Sequence, residues 1–210
     1  MEMNENIKKC KNSINNKMEF IPEGKETFEQ FLNTIKEFGQ IDSKFIEINN
    51  PWTTEKYHNN VFYYTLKENN YVAVKEKDNS YMHCIKSSYE FKKDKVYKLE
   101  FIVDYKGGDF DIGFADFSFT KNKSRLTVSS NSVTLSNEGL IINKVNINNN
   151  LKIEKGKKYE FIIDMKNKKF ILNVNEVKSG EYDFDFQNNV FAQAAIRNLD
   201  NSIKIKTYEK

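Results

Sequence analysis

The chain has 210 residues, 33 basic against 30 acidic, for a net charge of +3, and 39% of its residues are apolar. That length suffices for one large domain whose core needs neither disulfide nor metal, because a fold of this size buries about 70% of the surface its extended chain exposes. Lysines and glutamates are scattered rather than blocked, which argues against nucleic acid as the main partner.

Residues 1–20 are polar, rich in Asn and Lys, and aperiodic, and read as a disordered tail. This stretch has no apolar h-region, so it does not read as a secretory signal. No apolar run anywhere approaches the ~20 residues of a membrane span. With only two cysteines, a soluble, cytoplasmic protein without membrane insertion is expected. Residues 21–42 differ: Phe28, Phe31, Leu32, Ile35 and Phe38 recur at helical spacing, Thr27 and Gln30 fit a capping box, and Gly39 fits a C-terminal stop. This amphipathic helix either packs on the following domain or docks into a partner's groove.

From residue 43 to 210 the pattern is strands. Segments 44–49, 61–66, 70–76, 80–86, 96–105, 109–117, 132–136, 139–143, 157–165, 168–175, 190–196 and 202–208 read as short strands, with Asn, Gly, Lys and Asp between them. The clearest stretch is KKYEFIIDMKNKKFILNVNEV, residues 157–177. Tyr159, Phe161 and Ile163 alternate with Glu160, Ile162 and Asp164. After a polar turn, Phe170, Leu172 and Val174 alternate with Ile171 and Asn173. Period two on both sides of a turn is a β-hairpin. Gly107-Gly108 reads as a second hairpin turn, since a strand rather than a helix follows and a phosphate loop needs a helix. Many strands without intervening helices imply an all-β antiparallel sandwich.

Few residues suggest chemistry. Cys10, Cys84, His58 and His83 form neither a disulfide framework nor a zinc spacing, and no cofactor or metal is expected. His83 and Cys84 are strand neighbours and point to opposite faces, so they are no dyad. The i,i+2 pairs Asp109/Asp111 and Asp183/Asp185 would share a strand face, where they could hold a hard cation or act as a carboxylate dyad. An amphipathic strand with a solvated acidic face gives the same pattern and is the reading adopted. Trp52, the single tryptophan, lies with Tyr57 between two strands, as a recognition anchor or as a plug closing the sandwich. No enzymatic constellation stands out.

Three phrases resemble the SPRY (B30.2-like) family. VYKLEFIVDYKGGDFDIGFADF (96–117) is similar to its strand pair with an IGF phrase, residues 157–177 to its hairpin, and VFAQAAIRNLDNSIKI (190–205) to its closing pair. The usual Asn-Gly corner is here Asn175-Glu176, and the Pro common in the penultimate strand is absent from Phe191–Ala194. The resemblance implies a concanavalin-like sandwich of two curved antiparallel sheets without catalysis: an adaptor that binds peptide segments of partner proteins through loops at one edge. Carried onto this chain, those loops are residues 76–80, the segment after Asp116, and the turn after Ile196. They offer Lys77, Asp78, Phe119, Arg125, Arg197 and Asn198, with Trp52 and Tyr81 nearby as aromatic contacts. Clustering of these residues at one edge is the expectation, and scatter over opposite ends would separate them. The alternative is a glycan-binding, lectin-like sandwich.

Overall fold

A computed structural model describes residues 45–53, 64–76, 82–104, 106–120 and 125–210, with His83 described by its backbone alone. The tail at 1–20 and the helix at 21–42 therefore lie outside the described residues. The described chain forms fifteen strands: β1 Ile46–Ile48, β2 Trp52–Thr53, β3 Tyr64–Lys67, β4 Val72–Lys75, β5 His83–Ser87, β6 Val96–Asp104, β7 Phe110–Asp116, β8 Ser132–Ser136, β9 Gly139–Ile142, β10 Val145–Asn148, β11 Lys158–Asp164, β12 Lys169–Val174, β13 Val177–Asp183, β14 Val190–Ile196 and β15 Ser202–Glu209. A four-residue helix, α1 (Phe117–Thr120), follows β7.

The strands form two antiparallel sheets. One runs β13-β12-β11-β6-β15-β4-β3, with β1 also pairing β15, and the other runs β10-β9-β8-β7-β14-β5-β2. This is the sandwich that the strand pattern implies. The alternation sends Tyr97, Leu99, Phe101, Tyr159, Phe161, Ile163, Phe170 and Leu172 of the first sheet inward, all 1% exposed or less. Phe110, Ile112, Phe114, Val133, Leu135, Ala192 and Ile196 meet them from the second sheet, and all are fully buried. Phe114 makes the tightest junction, edge-on to Phe161 at 6.1 Å, Phe170 at 5.6 Å and Phe184 at 5.2 Å. Such edge-to-face pairs place the positive ring edge on a negative ring face.

The 157–177 hairpin pairs as its alternation requires, from Tyr159 opposite Val174 to Asp164 opposite Lys169. Asp164 closes its turn, accepting from the Asn167 N–H and the Asn167 side-chain amide, both at 2.8 Å. Gly107-Gly108 is not a hairpin turn. It joins β6 in one sheet to β7 in the other, so the chain crosses the sandwich there. Local sequence sets the tightness of a turn, whereas which sheet receives the next strand is decided by long-range pairing. Strands β2, β10 and β13 were not apparent in the residue pattern. Among the described residues no helix is long and apolar enough to cross a membrane.

Several turns place non-glycine residues at positive φ, the β9–β10 and β12–β13 connections among them. The β12–β13 connection puts Asn175 at φ 49° and Glu176 at φ 67°, the left-handed pair that a two-residue hairpin needs and that Asn-Gly adopts best. Asn175 is held, accepting from the Lys158 N–H at 2.9 Å. Glu176 is 82% exposed and has only a 3.9 Å approach to Lys158 to set against its conformational cost. Glu176→Gly should therefore raise stability by about 0.5–1 kcal/mol in chemical denaturation, since relief of the left-handed strain outweighs the entropy that glycine adds to the unfolded chain.

Candidate interaction site at one end of the sandwich

Two sheet-to-sheet crossings lie side by side at one end. Residues 106–109 carry the chain from β6 to β7, and Arg197–Asn201 carry it from β14 back to β15. The register makes them neighbours: Ile196 faces Phe110 in one sheet, and Ser202 faces Asp104 in the other. Strand β4 ends at the same level, with Ser202 opposite Val74, and β5 begins there, with His83 opposite Ile196.

The crossings are bonded to each other. The Arg197 N–H donates to the Asp109 carbonyl at 3.1 Å, and its Nη1 donates to the Asp109 carboxylate at 2.8 Å. The Asn198 side chain lies where a Cβ on Gly108 would stand, so a larger residue would displace it, and Gly108 at φ 87° favours glycine's backbone freedom. Lys106, Arg197, Asn198, Leu199 and Asp200 remain exposed on the outside. Arg197 keeps 48% of its side-chain surface and Leu199 39% of its total surface. A guanidinium has five donors, and the Asp109 ion pair occupies Nη1 alone. A cation, an amide and an apolar side chain in sequence, on a bonded base, can hold an extended chain through charge, hydrogen bonding and apolar contact together.

Arg125 stands near the same end in a different role. Its Nη2 donates to Asp111 at 3.2 Å and its Nη1 to Glu138 at 2.8 Å. Asp111 is fully buried, and its other oxygen accepts from the Leu126 N–H at 3.0 Å. Burial pushes the Asp111 carboxyl above the ordinary carboxylate range, although Arg125 and the amides of Leu126 and Thr127 pull it down. Arg125 is thus committed inward, where it fixes the chain returning to β8. Ser132 Oγ extends the same anchorage, donating to the carbonyls of Leu126 at 3.2 Å and Ser129 at 2.9 Å.

The expected solvated acidic face therefore holds only in part. Asp111 is buried because β7 is covered on both faces, whereas Asp109 is ion-paired at the surface. Asp183 is exposed beside Lys169 at 4.0 Å, and Asp185 accepts from the Asn143 amide at 2.8 Å. Cys84 is buried in a small cluster with Met82, Leu126 and Ala195, and burial pushes its thiol well up. Among the described residues no three His, Cys, Asp or Glu side chains are placed to hold a metal ion.

The eight residues offered by the sequence do not form one cluster. Arg197 and Asn198 share the crossing end. Trp52 is 1% exposed, stacks on Phe101 at 6.4 Å and donates its indole N–H to the Ile203 carbonyl at 3.3 Å, so it is the plug and not an anchor for partners. Its strand β2 turns it inward opposite Ser87. Phe119, 44% exposed on α1, follows the opposite end of β7, about 20 Å away at strand rise. Lys77, Asp78 and Tyr81 lie outside the described residues, as do His58 and Tyr57, although β4 and β5, which flank 77–81, meet the crossing end. Leu199, Lys106 and Asn201 gave no signal in the sequence beyond the turn-forming residues around them.

Two antiparallel sheets joined by paired crossings make a β-sandwich, and solved structures of SPRY domains share its fold. The chain is similar to a human SPRY domain, with a TM-score of 0.55 and 10% identity over 68% of this chain and 94% of that one. It is similar to the SPRY domain of human HERC1, with a TM-score of 0.55 and 13% identity over 73% and 96%. The TRIM65 PSpry domain gives 0.53 and 8% over 75% and 92%. The fold is that of SPRY domains. No protein-family model matches the sequence, and no curated protein matches it.

The two arginines should respond differently to mutation. Arg125→Met strands a buried carboxylate and should cost about 3–5 kcal/mol in urea denaturation. Arg197→Ala breaks a half-exposed pair and should cost under about 1 kcal/mol.

Proposed function

We propose that this protein is a non-enzymatic interaction module that binds an extended peptide segment of a partner protein at the crossing end, with Arg197, Asn198 and Leu199 in contact. Lys77 and Asp78 are kept as proposed contacts on the sequence resemblance alone. Phe119 belongs to another face, and Arg125 acts by holding the fold. The observation that carries the reading is the pair of bonded crossings, which presents an exposed guanidinium and an exposed leucine two residues apart on a base fixed by Asp109 and Gly108. The SPRY-type fold supports it, because a rigid sandwich of this kind holds its connecting loops exposed at the ends of its sheets. A binding role for loops on a rigid scaffold needs no cofactor, and an adaptor acts by recruitment or competition.

The test is selection of peptides from a displayed random library, followed by affinity measurements on variants. The double substitution Arg197→Glu, Leu199→Glu should weaken a selected peptide at least about tenfold, the loss of one or two interface contacts, with the melting temperature unchanged within a few degrees. Phe119→Ala should leave affinity within about twofold. Equal binding by all three proteins would move the site elsewhere. Failure to select any peptide, together with binding on a glycan array, would favour the lectin-like alternative.

A further inference from the structure

The crossing end is assembled from three separate pieces of chain, and one residue belongs to the first, holds the second with its side chain and the third with its backbone. Asn201 is fully buried. Its Oδ1 accepts from the Lys106 N–H at 2.7 Å, and its Nδ2 donates to the Gly107 carbonyl at 2.9 Å. Its backbone carbonyl accepts from the Lys75 N–H at 3.1 Å, and the Asp200 N–H returns to the Lys75 carbonyl at 3.1 Å. The amide thus works as a local strand partner for residues 106–107, a stretch where the chain has left β6 and has no ladder of its own. Both ends of the amide are used, one as acceptor and one as donor, so neither an apolar side chain nor an ionised carboxylate satisfies both. Gly107, at φ 124°, turns its carbonyl to meet the amide in a conformation that favours glycine.

We infer that Asn201 is the positioning residue of the proposed peptide site: its carboxamide ties the 106–108 crossing to the 197–201 crossing, its backbone ties the latter to the end of β4, and together they set where Arg197, Asn198 and Leu199 stand. This rests on the binding reading for its functional consequence, but the locking itself is independent of any partner. Asn201 contacts no ligand, because it is buried beneath the surface it organises. Arg197 is tied to Asp109 and Asn198 packs over Gly108, so any shift of the 106–108 crossing is passed to both.

The locking is tested by amide hydrogen exchange on the whole chain, comparing wild type with Asn201→Ala and Asn201→Asp. A buried hydrogen bond lost without replacement accelerates exchange about tenfold or more. In Asn201→Ala the amides of Lys106, Lys75 and Asp200 should all speed up by about that factor, while those of Phe114 and Ala192 in the core hold their rates. Lys75 is the informative one, since its partner is a backbone carbonyl that the substitution leaves in place.

Asn201→Asp adds a pH signature. An ionised carboxylate still accepts from Lys106 but faces the Gly107 carbonyl with no proton to donate, whereas a protonated carboxyl can donate one. Burial raises the folded-state pKa of such a carboxyl above its unfolded value, so the deficit relative to wild type should be full at neutral pH and shrink as the pH falls through the folded pKa. If Asn201→Ala does not fold, this recovery alone decides. Acceleration confined to Lys106, or a deficit in Asn201→Asp that does not change with pH, would overturn the locking role. With locking established, a selected peptide that binds Asn201→Ala as tightly as wild type would refute the binding reading of this end and leave the lock standing.

Discussion

Phe114 meeting Phe161 and Phe170 across the gap between the sheets is the contact on which the rest of the molecule depends. Each sheet has one apolar face, and neither can bury it alone. The ring of Phe114, from the middle of β7, enters between rings from β11 and β12 and is closed over by Phe184 and Phe186. This junction fixes the two sheets as rigid layers. Because the sheets are fixed, the chain must cross from one to the other at their ends, and the crossings are held at both sides by strands that cannot shift register without turning core side chains outward. The loops thereby acquire definite positions without a core of their own.

Charged groups divide along the same line. Those buried beneath the surface serve the fold: Asp111 and Arg125 fix the chain returning to β8, and Glu100 sits between Lys98 at 3.1 Å and Lys158 at 3.3 Å on the outer face of the larger sheet. Burial pushes the Glu100 carboxyl up, but the two lysines outweigh it and hold it below its ordinary value. Arg197 is the contrasting case, paired on one side and open on the other. Two arginines that look equivalent in the sequence thus differ in what they can offer a partner, and the difference is set by whether the carboxylate each meets lies inside or outside the β7 strand.

Much of the fold was legible because period two is a direct image of a half-buried strand. The 157–177 hairpin, the strand at 96–104 and the closing strand at 202–209 declare themselves this way. Strand β13, VKSGEYD, and β10, VNIN, did not, because edge strands with mostly solvent-facing residues lack the apolar alternation, and β2 is only two residues long. Burial of Asp111 was hidden for the opposite reason: a strand covered on both faces has no solvated side, and its polar residue is matched by Arg125, fourteen residues away. Arg197 and Asn198 share one end of the sandwich because both lie in the turn after Ile196, whereas Phe119 leaves β7 at its other end, since adjacency of loops depends on which end of a strand they leave. Trp52 shows that a lone tryptophan between strands does not announce which way it faces. Asn201 carries no pattern at all, since its importance arises from three segments that are far apart in the chain, its side-chain partners lying 94 and 95 residues away.

The most direct test of the account is an NMR map of backbone amide shifts as a selected peptide is titrated into the protein. The account gives perturbations concentrated at residues 106–109 and 197–200, with the core amides of β7 and β11 unmoved. Perturbations centred on α1 and residues 189–191 at the other end, or spread over the outer face of the β11–β12 hairpin, would contradict it.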